Sequence, residues 1–117
     1  MTALAQVTME RQGDVFIATI TGEIDPSNAR DLSSELTDAV PNAAMAVVLD
    51  LSAVQYLDSS GVQLLFELAD RLGARQQRLA VAVPPEAPAR RVLEIVSPDT
   101  TAPVADSREQ ALEQLGL

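Results

Sequence analysis

The spacing of apolar and polar positions changes several times along the chain, and each change predicts an element. Gln6-Val7-Thr8-Met9 alternates, Arg11-Gln12-Gly13-Asp14 interrupts it, and Val15 to Ile20 resumes as a β-branched and aromatic run. This is the signature of a β-hairpin. Asp25-Pro26 predicts a helix start, with Asp25 as N-cap and Pro26 in the first helical position, where its missing N–H costs nothing. Ala29, Leu32, Leu36, Ala39 and Val40 then recur at helical spacing until Pro41 stops the pattern.

Ala46-Val47-Val48-Leu49-Asp50-Leu51 is short and almost continuously apolar, which predicts a central strand covered on both faces. After a connecting stretch, Val62, Leu65, Leu68, Ala69 and Leu72 mark a second amphipathic helix, expected to end at Gly73 as its C-terminal cap. Leu79-Ala80-Val81-Ala82-Val83 predicts a buried strand. Pro84, Pro85 and Pro88 precede a short helix from Ala89 to about Val96, and Ser97-Pro98 breaks the chain again. A weak strand is expected near Val104. Ser107-Arg108-Glu109-Gln110 has the spacing of a capping box, and Ala111, Leu112 and Leu115 give the last helix its apolar stripe. The fold class that follows is α/β: a single domain over residues 1–117, its mixed central sheet made of an N-terminal hairpin plus parallel strands, with about four helices packed against it.

Composition removes whole classes of chemistry. The 117 residues include no cysteine, which excludes disulfide scaffolds, thiolate metal sites and cysteine nucleophiles. Histidine is also absent, so there is no imidazole base, Ser-His-Asp triad or imidazole metal ligand. All eight basic residues are arginine, which removes the P-loop lysine, Schiff-base chemistry and the Ser-Lys dyad. No metal or cofactor is expected. The longest apolar run, Ala43 to Leu49, is far short of the roughly 20 residues that cross a bilayer, and no basic segment leads into an apolar stretch at the N-terminus. The expectation is a cytoplasmic chain without a membrane partner. A net charge of −9 repels nucleic acid and favours a basic protein surface as partner.

What remains is the turn Leu57-Asp58-Ser59-Ser60-Gly61, where a strand passes into the second helix. In open α/β sheets such turns collect function, because backbone N–H groups and the helix dipole are exposed there. Two readings stand side by side. In the structural one these are N-cap residues, with Ser60 and Gln63 spaced as a capping box. In the functional one a serine accepts phosphate, adding roughly −1.5 to −2 charges next to Asp58 at a helix start. The two are compatible if Ser60 is the cap and Ser59 is left free to react. Gly61 either permits close helix-to-strand packing or keeps the serine accessible, with packing the preferred reading. The Arg90-Arg91 pair reads as a solvated helix face, outside the site.

Gly22-Glu23-Ile24-Asp25 closing the hairpin, together with Val48-Leu49-Asp50-Leu51 followed by Tyr56-Leu57-Asp58-Ser59-Ser60-Gly61, resembles the STAS domain, in particular the single-domain anti-sigma factor antagonists of bacterial partner-switching pathways. The resemblance covers nearly the whole chain. It implies a non-enzymatic protein whose unphosphorylated form binds an anti-sigma factor that is also its serine kinase, releasing the sigma factor, with a serine phosphatase restoring the cycle. It also implies that the acceptor is the serine directly after the aspartate, here Ser59, with Ser60 the second choice. Glu23, Asp25, Asp58, Ser60 and Gly61 are then expected at the partner surface. The chain departs from the family at Ser97-Pro98, where a small residue and glycine usually follow the third helix. Two alternatives remain: a non-switching STAS subunit that stabilises a transporter or larger signalling complex, and a nucleotide-binding or hydrolytic protein using the helix start near Gly61. The missing lysine and glycine-rich loop weigh against the second.

Overall fold

The structure is a computed structural model that describes residues 4–96 and 102–116. Nine elements follow in order: β1 (Ala5–Gln12), β2 (Val15–Ile24), α1 (Ala29–Ala39), β3 (Ala46–Leu57), α2 (Ser59–Ala74), β4 (Arg78–Ala82), α3 (Pro88–Val96), β5 (Val104–Ala105) and α4 (Arg108–Leu115). The five strands form one sheet in sequence order. β1 pairs antiparallel with β2, and every later pairing is parallel. Each crossover therefore steps the same way along the sheet, and right-handed crossovers of that kind set their helices on one face. Accordingly α1, α2 and α3 pack over the main core of Ile20, Ile24, Leu36, Leu49, Leu51, Leu65, Leu68 and Leu93. Only α4 lies on the other face, where Ala111 and Leu115 cover Val15, Ile17, Ala46, Val48, Ala80 and Ala82.

This unequal covering explains why β3 is twice as long as its apolar run. Ala46 to Leu51 is buried continuously, because helices lie above and below it. Beyond Leu51 the eight-residue α4 no longer shields the second face. Burial then falls to Leu51, Val54 and Leu57, with Ser52, Ala53, Gln55 and Tyr56 exposed. The expected connecting stretch is thus more strand. Register shifts opposite Thr19–Thr21 and Gly22–Glu23 each leave one extra residue in β3 and bend that strand along the same stretch.

Several boundaries differ from expectation for local reasons. The hairpin turn is only Gly13-Asp14, with Gln12 opposite Val15 and Gly13 at φ +63°. α1 begins at Ala29, not at Pro26, and Asp25 does not cap it. The Asp25 carboxylate instead accepts the Ser27 N–H at 2.8 Å and the Ser27 hydroxyl, while its carbonyl accepts the N–H groups of Asn28 and Ala29. That is a closed turn ahead of the helix. Gly73 is not the C-cap of α2: the helix runs to Ala74, and the left-handed residue is Gln76 at φ +61°. Arg75, the actual C-cap, donates from its guanidinium to the carbonyls of Val40 and Thr37, each at 3.0 Å. α1 has no basic residue in its last turn, so its orphan carbonyls are satisfied from the end of the next helix.

Gln77 works alongside it, donating to the carbonyls of Pro41 and Ala44 at 2.8 and 2.9 Å. The N-cap of α4 is Ser107 as expected, its hydroxyl accepting the Gln110 N–H at 3.1 Å. Gln110 answers one residue early, accepting from the Asp106 N–H. Arg90 is no solvated residue: it donates to the Val83 carbonyl at 2.8 Å and to Asp106 at 2.7 Å, joining α3 to the β4 and β5 ends. Ser97-Pro98 lies outside the described residues.

Gly22 is the one glycine whose replacement is blocked twice over. Its φ is +100°, and a Cβ there would sit 2.1 Å from the Leu4 carbonyl oxygen. Gly22→Ala should therefore lose about 2 kcal/mol or more of stability. The measurement is a lowered urea midpoint with an unchanged m-value; an equal midpoint would show that the hairpin edge relaxes freely.

Candidate functional site

Parallel pairing of β2 and β3 sets Glu23 opposite Tyr56 and Ile24 opposite Leu57. Both chains then leave the sheet at the same edge, β2 through Asp25 and β3 through Asp58. The structure thus gathers Glu23, Asp25, Asp58, Ser59, Ser60 and Gly61 at one end of the molecule, on two adjacent connections.

At the start of α2, Asp58 is the N-cap. Its Oδ1 accepts the Ser60 N–H at 2.9 Å and the Ser60 hydroxyl, and its Oδ2 accepts the Tyr56 hydroxyl at 3.1 Å. The Asp58 carbonyl accepts the N–H groups of Gly61 and Val62 at 3.0 and 3.2 Å. The expectation that Ser60 caps the helix is corrected here: Ser60 lies inside the first turn, and its hydroxyl is a donor to the cap. No Ser60–Gln63 capping-box bond forms, because the extended Asp58 backbone already places a carboxylate where the cap acceptor belongs.

Electrostatics follow from these bonds. The Ser60 hydroxyl, opposed by burial, and then the Ser60 backbone N–H and the Tyr56 hydroxyl hold the Asp58 carboxyl below its usual value. The hydrogen bond to Asp58, its charge, and the charges of Asp25 and Glu23 push the Tyr56 phenol up. Tyr56 is therefore a neutral, half-exposed ring standing among three carboxylates. It was not singled out from sequence as a site residue, although its place two residues before Asp58, at a position left bare by α4, marks it.

The two serines are unlike. Ser59 is the first residue of α2, exposed, and its hydroxyl has no hydrogen-bond partner among the described residues. Ser60 is half-buried with its hydroxyl engaged. Gly61 is buried, and a Cβ would lie 2.6 Å from Leu57 Cγ, so the packing reading of this glycine holds. A groove of about 520 Å³ opens beside this turn, between α1 and α2, with Pro26, Ala29 and Arg30 on one side and Ser60, Gln63 and Phe66 on the other. Among the described residues, no group of three or more acidic side chains is arranged to hold a metal ion.

A second polar cluster, missed from sequence, lies on the α4 face. Arg108 donates to Asp50 at 2.6 Å, to the Thr19 hydroxyl at 2.7 Å and to Glu10 at 3.0 Å, tying α4 to β3, β2 and β1. Asp50 is only 6% exposed. Burial pushes its carboxyl up, but hydrogen bonds from Ser52 and Arg108 outweigh that and hold it below the usual carboxylate value. Two signals could have revealed the pair: a carboxylate inside a continuous apolar run, and a cation in a helix's first turn, where the dipole disfavours it. The cluster holds the fold and touches no residue of the Asp58 turn.

The chain belongs to the STAS domain family, whose match spans residues 6–111. Over 107 residues it is 33% identical to BtrV of Bordetella bronchiseptica, described as a candidate anti-sigma factor antagonist, covering 91% of this chain and 90% of that protein. It is 34% identical over 67 residues to the anti-sigma-F factor antagonist RsfB of Mycobacterium tuberculosis, covering 57% and 55%. The crystal structure of an anti-sigma factor antagonist from Mycobacterium paratuberculosis superposes with a TM-score of 0.83 at 27% identity, over 97% of this chain and 95% of that one. The α/β architecture expected from the sequence is the one observed.

Two outcomes test the site's chemistry. Asp58→Ala should lose about 1 kcal/mol, since the cap acceptor disappears, whereas Asp58→Asn should lose only a few tenths because asparagine caps as well. Equal losses in urea melts would assign the effect to charge and not to capping. For Asp50 the folded value lies below the unfolded one, so its stabilisation is present above about pH 4 and is lost as pH falls through the folded value. The stability difference between wild type and Asp50→Asn should accordingly shrink below pH 4, measured by denaturant melts across pH 2.5 to 7.

Proposed function

We propose that the chain is an anti-sigma factor antagonist, a non-enzymatic binding protein that docks an anti-sigma factor through the Asp25 and Asp58 edge and is switched off by phosphorylation of Ser59. The observation that carries this reading is the contrast between the serines: an exposed, unbonded Ser59 hydroxyl beside a Ser60 hydroxyl held by the cap. The names of the relatives support the antagonist role. The anti-sigma factor would also be the serine kinase, with a phosphatase reversing the modification.

The geometry gives the switch a physical sense. Glu23, Asp25 and Asp58 around Tyr56 offer a basic partner an acidic rim with an aromatic centre, the composition of an interface anchor. A phosphoryl group on Ser59 adds roughly −1.5 to −2 charges at that rim and projects into the space a docked surface must fill. Because Ser59 lies outside the hydrogen-bonded cap, its modification leaves the start of α2 intact and acts on the partner.

With the cognate kinase and ATP, mass mapping should find the phosphate on Ser59. Ser59→Asp should weaken anti-sigma factor binding at least about tenfold, about 1.4 kcal/mol, while Ser59→Ala binds as wild type does. Equal affinities of the two variants in calorimetry, with Ser59 unmodified by the kinase, would instead mark a non-switching STAS subunit.

A further inference from the structure

We propose that Arg30 on α1 is the cation that receives the phosphoryl group of phosphorylated Ser59, so that the modified state is held across the mouth of the α1–α2 groove. This rests on the switch described above and names the residue that reads it.

Most arginines are already committed. Arg11 donates to the Gly13 carbonyl, Arg71 pairs with Glu67, Arg75 and Arg78 donate to helix-end carbonyls, and Arg90 and Arg108 hold carboxylates. Among the described residues only Arg30 and Arg91 have no hydrogen-bond or ion-pair partner, and of these Arg30 lines the groove next to the Asp58 turn. From the opposite wall come Ser60, Gln63 and Phe66. Ser59 precedes Gln63 by four residues and Phe66 by seven, so on a helix it shares their side and stands at the rim facing α1.

A phosphate there needs such a side chain, because most N–H groups of the helix start are already taken. Asp58 has taken the Ser60 N–H with its carboxylate and the Gly61 and Val62 N–H groups with its carbonyl. Asp25, Asp58 and Glu23 add only repulsion. An arginine offers two parallel N–H donors matched to phosphate oxygens and survives partial exposure better than a point charge does. The acids deeper in the groove compete little: Glu67 is held by Arg71 at 2.9 Å, and Asp70 carries half the charge of a phosphate dianion.

In the modifying step, the Ser59 oxygen bonds to the γ-phosphorus of a nucleoside triphosphate. The bond from that phosphorus to the bridging oxygen breaks, the nucleoside diphosphate leaves, and the hydroxyl proton passes to the kinase's base or to water. Phosphorylation then does two things at once: it adds an anion to the rim and withdraws a free cation from it. A partner that used either feature loses both.

The test installs phosphoserine at position 59 by genetic encoding, which needs no kinase, and follows its 31P shift from pH 4.5 to 8. The groups around it are Arg30, Asp25, Asp58, Glu23, Glu67, Asp70 and Tyr56, none of them a histidine, so at this site only the phosphate changes charge between about pH 5.5 and 8. Arg30→Gln should raise the second phosphate pKa by about 0.5 to 1 unit, Arg30→Lys should restore part of the shift, and Arg91→Gln should leave it unchanged. Coincident titration curves for wild type and Arg30→Gln overturn the assignment, as does an equal shift from Arg91→Gln. Arg30 is exposed, so these variants keep the fold. An unmodified Ser59 in the kinase assay overturns the switch itself, whereas coincident curves overturn only the role of Arg30.

Discussion

Glu23 lies opposite Tyr56, and Ile24 opposite Leu57, because β2 and β3 run parallel in register. That pairing carries two distant chain segments off the sheet at one edge and sets Asp25 beside Asp58. Antiparallel neighbours would send the two segments to opposite ends. The acidic rim, the placement of Tyr56 within it and the groove between α1 and α2 all follow, since each helix begins where its strand leaves this edge. Apolar burial underneath makes the register strict: a slip of one residue would turn Ile20 and Leu49 out of the main core.

The two faces of the sheet divide the work. Three crossover helices cover one face, and most of the large leucines and isoleucines sit there. The other face holds a smaller, alanine-rich cluster under a short α4, and there an ion pair accompanies packing, with Arg108 bridging three strands. A buried carboxylate such as Asp50 is tolerated only because hydrogen bonds from Ser52 and Arg108 offset its desolvation. What α4 leaves uncovered is the far half of β3, and Tyr56 is exposed for that reason.

Asp58 joins fold and site in one side chain. By accepting from Ser60 and Tyr56 it starts α2 and orients the ring, and by occupying Ser60 it leaves Ser59 as the free hydroxyl. The local alphabet of Asp, Ser and Ser allowed any of the three as the cap, since each is a favoured N-cap residue. The backbone decided: Asp58 is extended and both serines are helical.

Apolar patterning and the Pro and Gly breaks determined the order and type of the elements, because burial of one face imposes the 2.0 and 3.6 periods, and burial of both a continuous apolar run. The Asp58 turn was legible for the same reason, as the break between a buried strand and an amphipathic helix. Only the tertiary structure decided the rest. The length of β3 depended on how far α4 reaches, and the start of α1 on whether Asp25 turned back to Ser27 or forward into a cap. Arg75, Arg90 and Arg108 reach partners as much as 38, 16 and 98 residues away along the chain. Such contacts leave no local period, because a long flexible cation is placed by the strand order of the sheet and not by its neighbours in sequence.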